Sequence, residues 1–242
     1  MEFKKLLKNI DEWDRRIILK YNGIGGKPFT YFLRFLSFFG RETIWICLIT
    51  FYLFIWYDPR IFSYISTTFL IGVLLIAPIK KKIARSRPFE VMKDVKILEP
   101  QPTSRSFPSW HAYNVMSQGL LFSYLFNSPY LTIIFITIAL LVSFSRVQLG
   151  AHYPSDVIFG FWMAIIGFYI AALIFAPIML KFILFFEQFV ILEIHYQTIS
   201  PHLFDNFLYC FSVLGIFLII FLIAFYKRIK EMFNIKEKSD KN

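Results

Sequence analysis

The sequence predicts an all-α integral membrane protein, a polytopic bundle of about six transmembrane helices with an interfacial amphipathic helix at its N-terminal end. Hydrophobic residues make up 57% of the 242 residues and charged residues only 17%, which is rare in a soluble domain of this length. Phenylalanine contributes 31 residues, which suits a surface that faces lipid. Six apolar runs approach the roughly 20 residues that a crossing helix needs.

The predicted spans form one domain over residues 1–242. They lie near 43–57, 61–79, 112–127, 130–145, 157–180 and 206–226. The first, third and fourth runs are short and are expected to extend into flanking residues. Asp58-Pro59 separates the first two runs, and Asn127-Ser128-Pro129 separates the third and fourth. Both are turn sequences that end one helix and start the next.

The two ends of the chain are charged. Residues 1–20 mix Leu and Ile with Lys, Arg and Asp, a pattern typical of an amphipathic helix lying on a membrane surface. Residues 29–39, interrupted by Arg34, are a second interfacial candidate within the segment 1–42. The last 16 residues, 227–242, are predicted to be a mobile charged tail.

Six crossings would place the loops 80–111 and 146–156 on one side of the membrane, together with both ends of the chain. All 26 Lys and Arg residues except Arg60 and Lys181 would then lie on that side, and the positive-inside rule predicts that it is cytoplasmic. The net charge of +10 favours anionic partners such as lipid headgroups, phosphates and the membrane surface. Nucleic acid is less favoured, because the basic residues border apolar spans.

The first polar cluster at this side is KKKIARSRPF, residues 80–89. Lys80 and Arg87 are seven residues apart, so they share one face if the second span stays helical, and Pro88 is expected to end that helix. Two cations at a membrane boundary can bind a phosphate. The alternative is an ordinary basic flank of the kind that follows most spans.

The second cluster is SFPSWHAYN, residues 106–114. Pro108 and Ser109 precede a helical run, so Ser109 is a natural N-cap. A phosphate could bind Ser109 Oγ and the backbone N–H groups of Trp110 and His111, because a helix N-terminus favours anions. His111 would stand beside it as a proton-transfer group. The alternative is a plain helix cap with an interfacial Trp-His pair.

The third cluster is SRVQLGAHYPSD, residues 145–156. A carboxylate at Asp156, four residues after His152, can accept the imidazole N–H and so orient a nucleophile. Arg146 adds a planar donor group for phosphate oxygens. The alternative is a loop followed by a helix cap at Ser155 or Asp156.

The three clusters together resemble the type 2 phosphatidic acid phosphatase (PAP2) superfamily, in its membrane-bound lipid phosphatase branch. The resemblance rests on order and spacing over residues 80–156: Lys80-x6-Arg87-Pro88, Pro108-Ser109-x-His111 and Ser145-Arg146-x5-His152-x3-Asp156. It implies a metal-independent hydrolase without a cofactor, in which His152 forms a phosphohistidine, Asp156 orients it and His111 protonates the leaving oxygen. It also implies a set of phosphate-binding residues: Lys80, Arg87, Ser109, Trp110 through its N–H, and Arg146.

The resemblance leaves substrate and location open. Phosphatidic acid, phosphatidylglycerol phosphate, undecaprenyl diphosphate and a lipid A phosphate are all candidate substrates, and membrane lipids are the other expected partners, with no obligate protein partner inferred. Trp110 stands where many members have Gly, and its ring is expected to line the lipid access or to exclude bulky headgroups. The family implies a bacterial cytoplasmic membrane with the site on the outer face, against the charge distribution. A lipid phosphotransferase and a non-catalytic lipid-binding or transport protein are the alternatives.

Overall fold

The computed structural model describes residues 2–191 and 193–239, without the side chains of Phe3 and of residues 227–239. The described residues form eleven α-helices: α1 (Glu2–Tyr21), α2 (Gly26–Ser37), α3 (Glu42–Phe54), α4 (Pro59–Ile83), α5 (Pro88–Val91), α6 (Trp110–Phe126), α7 (Pro129–Gln148), α8 (Pro154–Ile170), α9 (Ala176–Glu187), α10 (His202–Asp205) and α11 (Phe207–Ser239). A 3₁₀ turn, Phe38–Gly40, follows α2, and a π turn, Ala171–Phe175, joins α8 to α9. In this part of the chain there is no β-strand, and β-type pairing is limited to a single bridge between Trp56 and Ile199.

Each predicted span coincides with a helix, which confirms an all-helical membrane fold. Four helical stretches among the described residues are long and apolar enough to cross a bilayer: Pro59–Val91, Pro129–Gln148, Pro154–Glu187 and Phe207–Tyr226. Helices α3 and α6 have 13 and 17 residues and fall short of the roughly 20 needed. A count of six crossings therefore stays a prediction.

The turn sequences act as predicted. Asp58 accepts a hydrogen bond from the Ile61 N–H at 2.9 Å and caps α4, whose first residue is Pro59. Asn127 takes the left-handed conformation that ends α6, with φ of 46°, and Ser128 caps α7. These local rules fix two of the tight connections of the bundle.

The expected extension of the first span is wrong. Helix α3 ends at Phe54, before the predicted limit of 57, because the following backbone bonds a loop near the other end of the chain. The carbonyl of Ile55 accepts from Ser200 N and that of Tyr57 accepts from Gln197 N, both at 2.8 Å.

Two further expectations are corrected. Helix α4 ends at Ile83 with Ala84 left-handed (φ 48°), so Lys80 and Arg87 do not share a helical face, and Pro88 begins the short α5 instead of ending α4. The extended stretch after Ala84 turns the Arg87 side chain into the interior, where it finds carbonyl acceptors. Residues 227–239, predicted as part of a mobile tail, continue α11 as a helix.

Helix α6 lies at the centre of the bundle, packed against α7 and α8, while α4 packs on α3, α8 and α9. The approach of α8 to the start of α6 is close, since a Cβ at Gly160 would lie 2.5 Å from the Ser109 carbonyl oxygen. Helix α1 rests on α7 and α8, and α2 on α7. The N-terminal segment therefore covers the end of the bundle where the three polar clusters lie.

Candidate active site

One cavity of about 660 Å³ lies where α4 and α7 end and α6 begins. Six of the eight predicted site residues line it: Lys80, Arg87, Trp110, His111, Arg146 and His152. The other two, Ser109 and Asp156, are fully buried and, within the described chain, are outside the lining. Segments separated by up to 72 residues in sequence thus meet at one site, and the chemical roles of their side chains remain predictions.

His152 follows α7 in a short loop and is 2% exposed. Its Nε2 lies 3.2 Å from Arg87 Nη1, and its Nδ1 lies 3.6 Å from Asp156 Oδ2 and 3.5 Å from Ser106 Oγ. A guanidinium can only donate, so Nε2 is the accepting nitrogen and the ring proton is on Nδ1. The Nε2 lone pair is therefore directed to the cation-lined side of the ring.

Burial lowers the pKa of His152 well below its usual value, and the positive charges of Arg87, Arg146 and Lys80 lower it further. The imidazole is consequently neutral at physiological pH. A neutral imidazole with an unprotonated Nε2 is the form that can attack an electrophile, once the contact from Arg87 shifts to the substrate.

A closed set of polar side chains lies behind His152, and we call it the rear network: Asp14, Arg85, Ser106, Ser155 and Asp156. Ser106 Oγ donates to Asp156 Oδ2, which also accepts from the Tyr153 N–H at 3.0 Å. Arg85 Nη1 donates to Asp156 Oδ1 at 2.8 Å, and its Nη2 donates to Asp14 Oδ2 at 2.7 Å. Asp156 is thereby held on both oxygens, with Ser106 between it and His152.

Arg87 and Lys80 bind backbone carbonyls of two loops, the one that precedes α6 and the one that precedes α8. Arg87 Nε donates to the Ser104 carbonyl and Nη1 to the Ala151 carbonyl, both at 2.7 Å. Lys80 Nζ donates to the carbonyl of Arg105 at 2.6 Å. The cations are thus fixed at the cavity wall by neutral acceptors, and each also has a longer contact of 3.2–3.4 Å that a stronger anionic acceptor could replace.

Arg146 is paired differently. Its two terminal nitrogens donate to both carboxylate oxygens of Glu99, with 2.8 Å from Nη1 to Oε2, and Nη1 also donates to Ser37 Oγ at 2.6 Å. Its Nε is buried and, among the described residues, has no hydrogen-bond partner. The Nε–H of this cavity-lining guanidinium is therefore unpaired, while the Glu99 carboxylate binds its two terminal nitrogens.

The start of α6 contributes the last part of the site. Ser109 Oγ caps the helix by accepting from the Ala112 N–H at 3.4 Å, so the N-cap prediction is confirmed. The N–H groups of Trp110 and His111 have no acceptor within the helix. The Trp110 ring stacks on Tyr113 at 5.7 Å and meets Phe69 edge-on at 6.2 Å. The ring thus forms an apolar part of the cavity wall between α4 and α6.

Gly40 holds His111 in place from the other side. A Cβ at Gly40 would lie 2.9 Å from the His111 Cβ, so the turn after α2 packs directly on the imidazole. The proton-transfer candidate is therefore positioned by a residue outside the three signature segments.

Apolar side chains form the opposite wall of the cavity. They come from three helices: Ile46 of α3, Val73, Ile76 and Ala77 of α4, and Ile220, Ile223 and Ala224 of α11. Ile46, Val73 and Ile223 are also exposed on the surface of the bundle. The cavity therefore connects a cationic end with a wall that faces the lipid region.

Several of these groups were not identified from sequence. Ser106 and Arg85 lie within the quoted clusters but match no signature position. Asp14 had a recognisable signal, because it shares a helical stripe with Ile10, Ile17 and Ile18, where a carboxylate is out of place unless it is paired. Within the described part of the chain, no group of three or more His, Cys, Asp or Glu side chains is arranged to hold a metal ion.

Comparison with known proteins gives one family. The sequence profile described as PAP2 superfamily matches residues 59–180. The undecaprenyl-diphosphatase of Sulfolobus acidocaldarius is 37% identical over 129 residues, which are 53% of this chain and 62% of that protein. The lipid A 1-phosphatase of Rhizobium etli is 35% identical over 119 residues, 46% of this chain and 50% of that protein. The alignments thus span 62% and 50% of these two relatives, which is less than two thirds of either.

A solved structure shares the fold. The crystal structure of Aquifex aeolicus LpxE superimposes with a TM-score of 0.58 at 22% identity, covering 66% of this chain and 93% of that one. The matched profile contains every signature residue, from Lys80 to Asp156, whereas Asp14, Ser37 and Gly40 lie outside it.

Proposed function

The chain belongs to the PAP2 superfamily, and from this premise we propose that it is an integral-membrane lipid phosphatase. It removes a phosphate from a lipid phosphate or diphosphate through a phosphohistidine intermediate. The observation that carries the proposal is the cavity itself, in which a neutral imidazole, the buried Arg87 and Arg146 and the half-buried Lys80 lie opposite an apolar wall that faces lipid. Such a cavity suits a ligand with a phosphate head and a hydrocarbon tail.

In the first step, the Nε2 lone pair of His152 attacks phosphorus and forms the N–P bond while the bond to the lipid oxygen breaks. His111, which takes up a proton together with the bound anionic phosphate, gives that proton to the lipid oxygen. Asp156, with Ser106, accepts the Nδ1–H and stabilises the positive charge that develops on the ring. The lipid alcohol, or a lipid monophosphate from a diphosphate, then leaves.

In the second step, His111 takes a proton from a water molecule as the water oxygen attacks phosphorus. The N–P bond breaks and its electron pair returns to His152 Nε2. Inorganic phosphate leaves, and both imidazoles return to their starting states. The fixed positive charges of the cavity stabilise the transferring phosphoryl group in both steps.

Phosphate binding replaces contacts that the cations make in the free protein. Arg146 offers Nε, and Arg87 and Lys80 exchange their longest contacts for phosphate oxygens. The backbone N–H groups of Trp110 and His111 supply further donors. Exchange of neutral acceptors for an anionic one strengthens these bonds.

The names of the relatives support a lipid with a large apolar portion, either an undecaprenyl diphosphate or a lipid A phosphate. Phosphatidic acid and phosphatidylglycerol phosphate share the same reacting group and belong in the same test. The Trp110 ring lines the cavity together with the phosphate-binding residues, where it limits the space for a bulky headgroup.

The test is release of inorganic phosphate from these four lipids by the purified protein in detergent, with and without EDTA. We expect at least one lipid to be hydrolysed equally in both conditions. His152→Ala should abolish release and also abolish the acid-labile phosphoenzyme formed from labelled substrate. His195→Ala, in the loop at the opposite end of the bundle, is the matched control and should keep full activity.

Two results would contradict the proposal. Hydrolysis that survives His152→Ala would exclude His152 as nucleophile. A phosphoenzyme that releases no phosphate until a lipid alcohol is added, and then yields a new lipid phosphate, would identify a phosphotransferase.

We also propose that the site faces the outer side of the cytoplasmic membrane, as the family resemblance implies. In a variant without Cys47 and Cys210, Asp94→Cys introduces an exposed thiol beside the site, and Glu193→Cys introduces one at the other end. An impermeant thiol reagent should label only Asp94→Cys in intact cells. Labelling of only Glu193→Cys would place the site in the cytoplasm, as the distribution of Lys and Arg predicts.

A further inference from the structure

The N-terminal helix α1 supplies a buried carboxylate to the catalytic centre, and its role goes beyond the signature residues. Resting on the phosphatase function proposed above, we propose that Asp14 is a positioning residue for the nucleophile His152, acting through Arg85 and Asp156. Asp14 lies outside the matched family region and is separated from Asp156 by 142 residues in sequence.

The contacts of Asp14 are specific and short. Its Oδ2 accepts from Arg85 Nη2 at 2.7 Å and from Ser155 Oγ at 2.5 Å, while Oδ1 accepts from the Ser155 N–H at 2.9 Å. The Asp14 side chain is fully buried. A fully buried carboxylate with three donors is held in one position and is not screened by water.

Arg85 transmits this position to Asp156. One terminal nitrogen donates to Asp14 and the other donates to Asp156 Oδ1 at 2.8 Å, so the planar guanidinium fixes the two carboxylates relative to each other. The guanidinium also lies over the Tyr153 ring, 4.0 Å from its centroid, which prevents it from turning. Asp14 and Arg85 thus fix the orientation of the Asp156 carboxylate, whose Oδ2 lies next to Ser106 and His152.

The charges of the rear network also indicate that Asp14 acts on His152 through Arg85 and Asp156. Arg85 is shared between two fully buried carboxylates, with Asp11 3.6 Å away as a weaker third partner. Without the Asp14 charge, the guanidinium would be drawn further to Asp156 and would lower the basicity of the carboxylate that supports the His152 imidazolium. The cavity cations Lys80, Arg87 and Arg146 would keep their own partners. Loss of Asp14 should therefore impair attack by His152 more than phosphate binding.

Two inhibitors separate these effects. Inorganic phosphate tests the cations alone, whereas vanadate adopts the five-coordinate geometry of phosphoryl transfer and needs an oriented His152 Nε2. For Asp14→Asn we expect kcat to fall about 10-fold while KM stays within about 2-fold of the wild-type value. The vanadate Ki should rise about 10-fold, whereas the phosphate Ki should stay within about 2-fold of the wild-type value. In a preparation that is only partly folded, the total activity would fall, but the folded fraction would keep both wild-type Ki values.

Glu12→Gln is the matched control on the same helix, because Glu12 is exposed and contacts only Lys8 among the described residues. It should leave all four constants unchanged. If Asp14→Asn does not fold in detergent, Arg85→Lys replaces it, since a lysine keeps the charge but cannot bridge two carboxylates. It should show the same selective loss of vanadate binding.

The inference is overturned if the wild type hydrolyses lipid phosphate while Asp14→Asn, or Arg85→Lys in its place, keeps kcat and the vanadate Ki within about 2-fold. It is also overturned if the phosphate and vanadate Ki values rise together, because that result describes a damaged binding site. A wild type that hydrolyses none of the lipids would instead refute the proposed function.

Discussion

Two arginines near His152 show how one residue type serves two purposes. Arg85 lies in the rear network, where its terminal nitrogens join Asp14 to Asp156. Arg146 lines the cavity, is bidentate to the single carboxylate of Glu99, and keeps Nε without a partner in the described chain. The first arginine is in a closed network that fixes geometry. The second lines the cavity, where its unpaired Nε leaves a donor for the phosphate of the proposed reaction.

Asp156→Asn breaks the closed network at its catalytic end and should have the largest effect. The amide cannot stabilise the imidazolium and leaves Arg85 with Asp14 and, more weakly, Asp11 as its carboxylate partners, so we expect kcat to fall about 10³-fold. KM should change less than about 3-fold, because the cavity cations keep their contacts. Steady-state phosphate release measures both constants.

Asp94→Asn is the control for Asp156→Asn, since Asp94 is an exposed carboxylate in the loop that leads to the site. It should behave as the wild type. A kcat for Asp156→Asn within about 10-fold of the wild type would mean that Ser106 alone orients His152.

Arg146→Lys tests the cavity-lining arginine and should have the second largest effect. Lysine keeps the charge but loses Nε and the planar donor edge, so we expect kcat/KM to fall about 10²-fold, mostly through a higher KM and a weaker phosphate Ki. Arg105→Lys, an exposed neighbour outside the cavity lining of the described chain, should leave both constants unchanged. A loss confined to kcat would mean that Arg146 positions catalytic groups as Arg85 does.

The sequence was sufficient for the arrangement of the cavity because each signature cluster lies at a helix end on the same side of the bundle. His111 follows the N-cap at Ser109, and His152 precedes the proline that starts α8, so their places follow from local turn chemistry. The six apolar runs likewise give helices, the fifth being divided by the π turn into α8 and α9, since each run is bounded by charges or by a turn sequence.

The partners of the two arginines could not be predicted in this way. Asp14 and Glu99 reach them across 71 and 47 residues of sequence, and such distances are set by how α1 and the loop before α6 pack on the bundle. The place of Arg87 depends on the reversal at Ala84, a left-handed residue that is not glycine and that no propensity indicates. The partners of Arg85 and Arg146 and the position of Arg87 depend on tertiary contacts, which local sequence patterns do not indicate.

Glu99→Gln removes the carboxylate partner of Arg146 and should strengthen phosphate binding, whereas Arg146→Lys should weaken it. The expected effect is smaller than that of Arg146→Lys. The carboxylate competes with phosphate for Arg146, so its removal should lower the phosphate Ki by about 5-fold, equivalent to roughly 1 kcal/mol. Inhibition by inorganic phosphate, measured at fixed lipid concentration, gives the constant. Asp94→Asn serves again as the exposed control. An unchanged or weaker Ki would show that Glu99 supports Arg146 and does not compete for it.

The last prediction concerns stability at low pH and tests the cation-lined side of His152. Burial and the charges of Arg87, Arg146 and Lys80 hold the pKa of His152 well below its usual value near 6.5. Below pH 6.5 the unfolded chain therefore takes up a proton at this position and the folded chain does not. The free energy of unfolding should fall by about 1.4 kcal/mol for each pH unit in this range.

His152→Gln removes this proton uptake, so its Tm in detergent should fall less than that of the wild type between pH 7.5 and pH 5.5. His195→Gln, at the far end of the bundle, should follow the wild type. Equal losses for all three proteins would mean that His152 takes up a proton when folded. In that case Glu99 and the loop carbonyls would neutralise the cavity cations so well that they no longer oppose a positive charge on His152. Arg146 would then be as fully paired as Arg85 in the rear network.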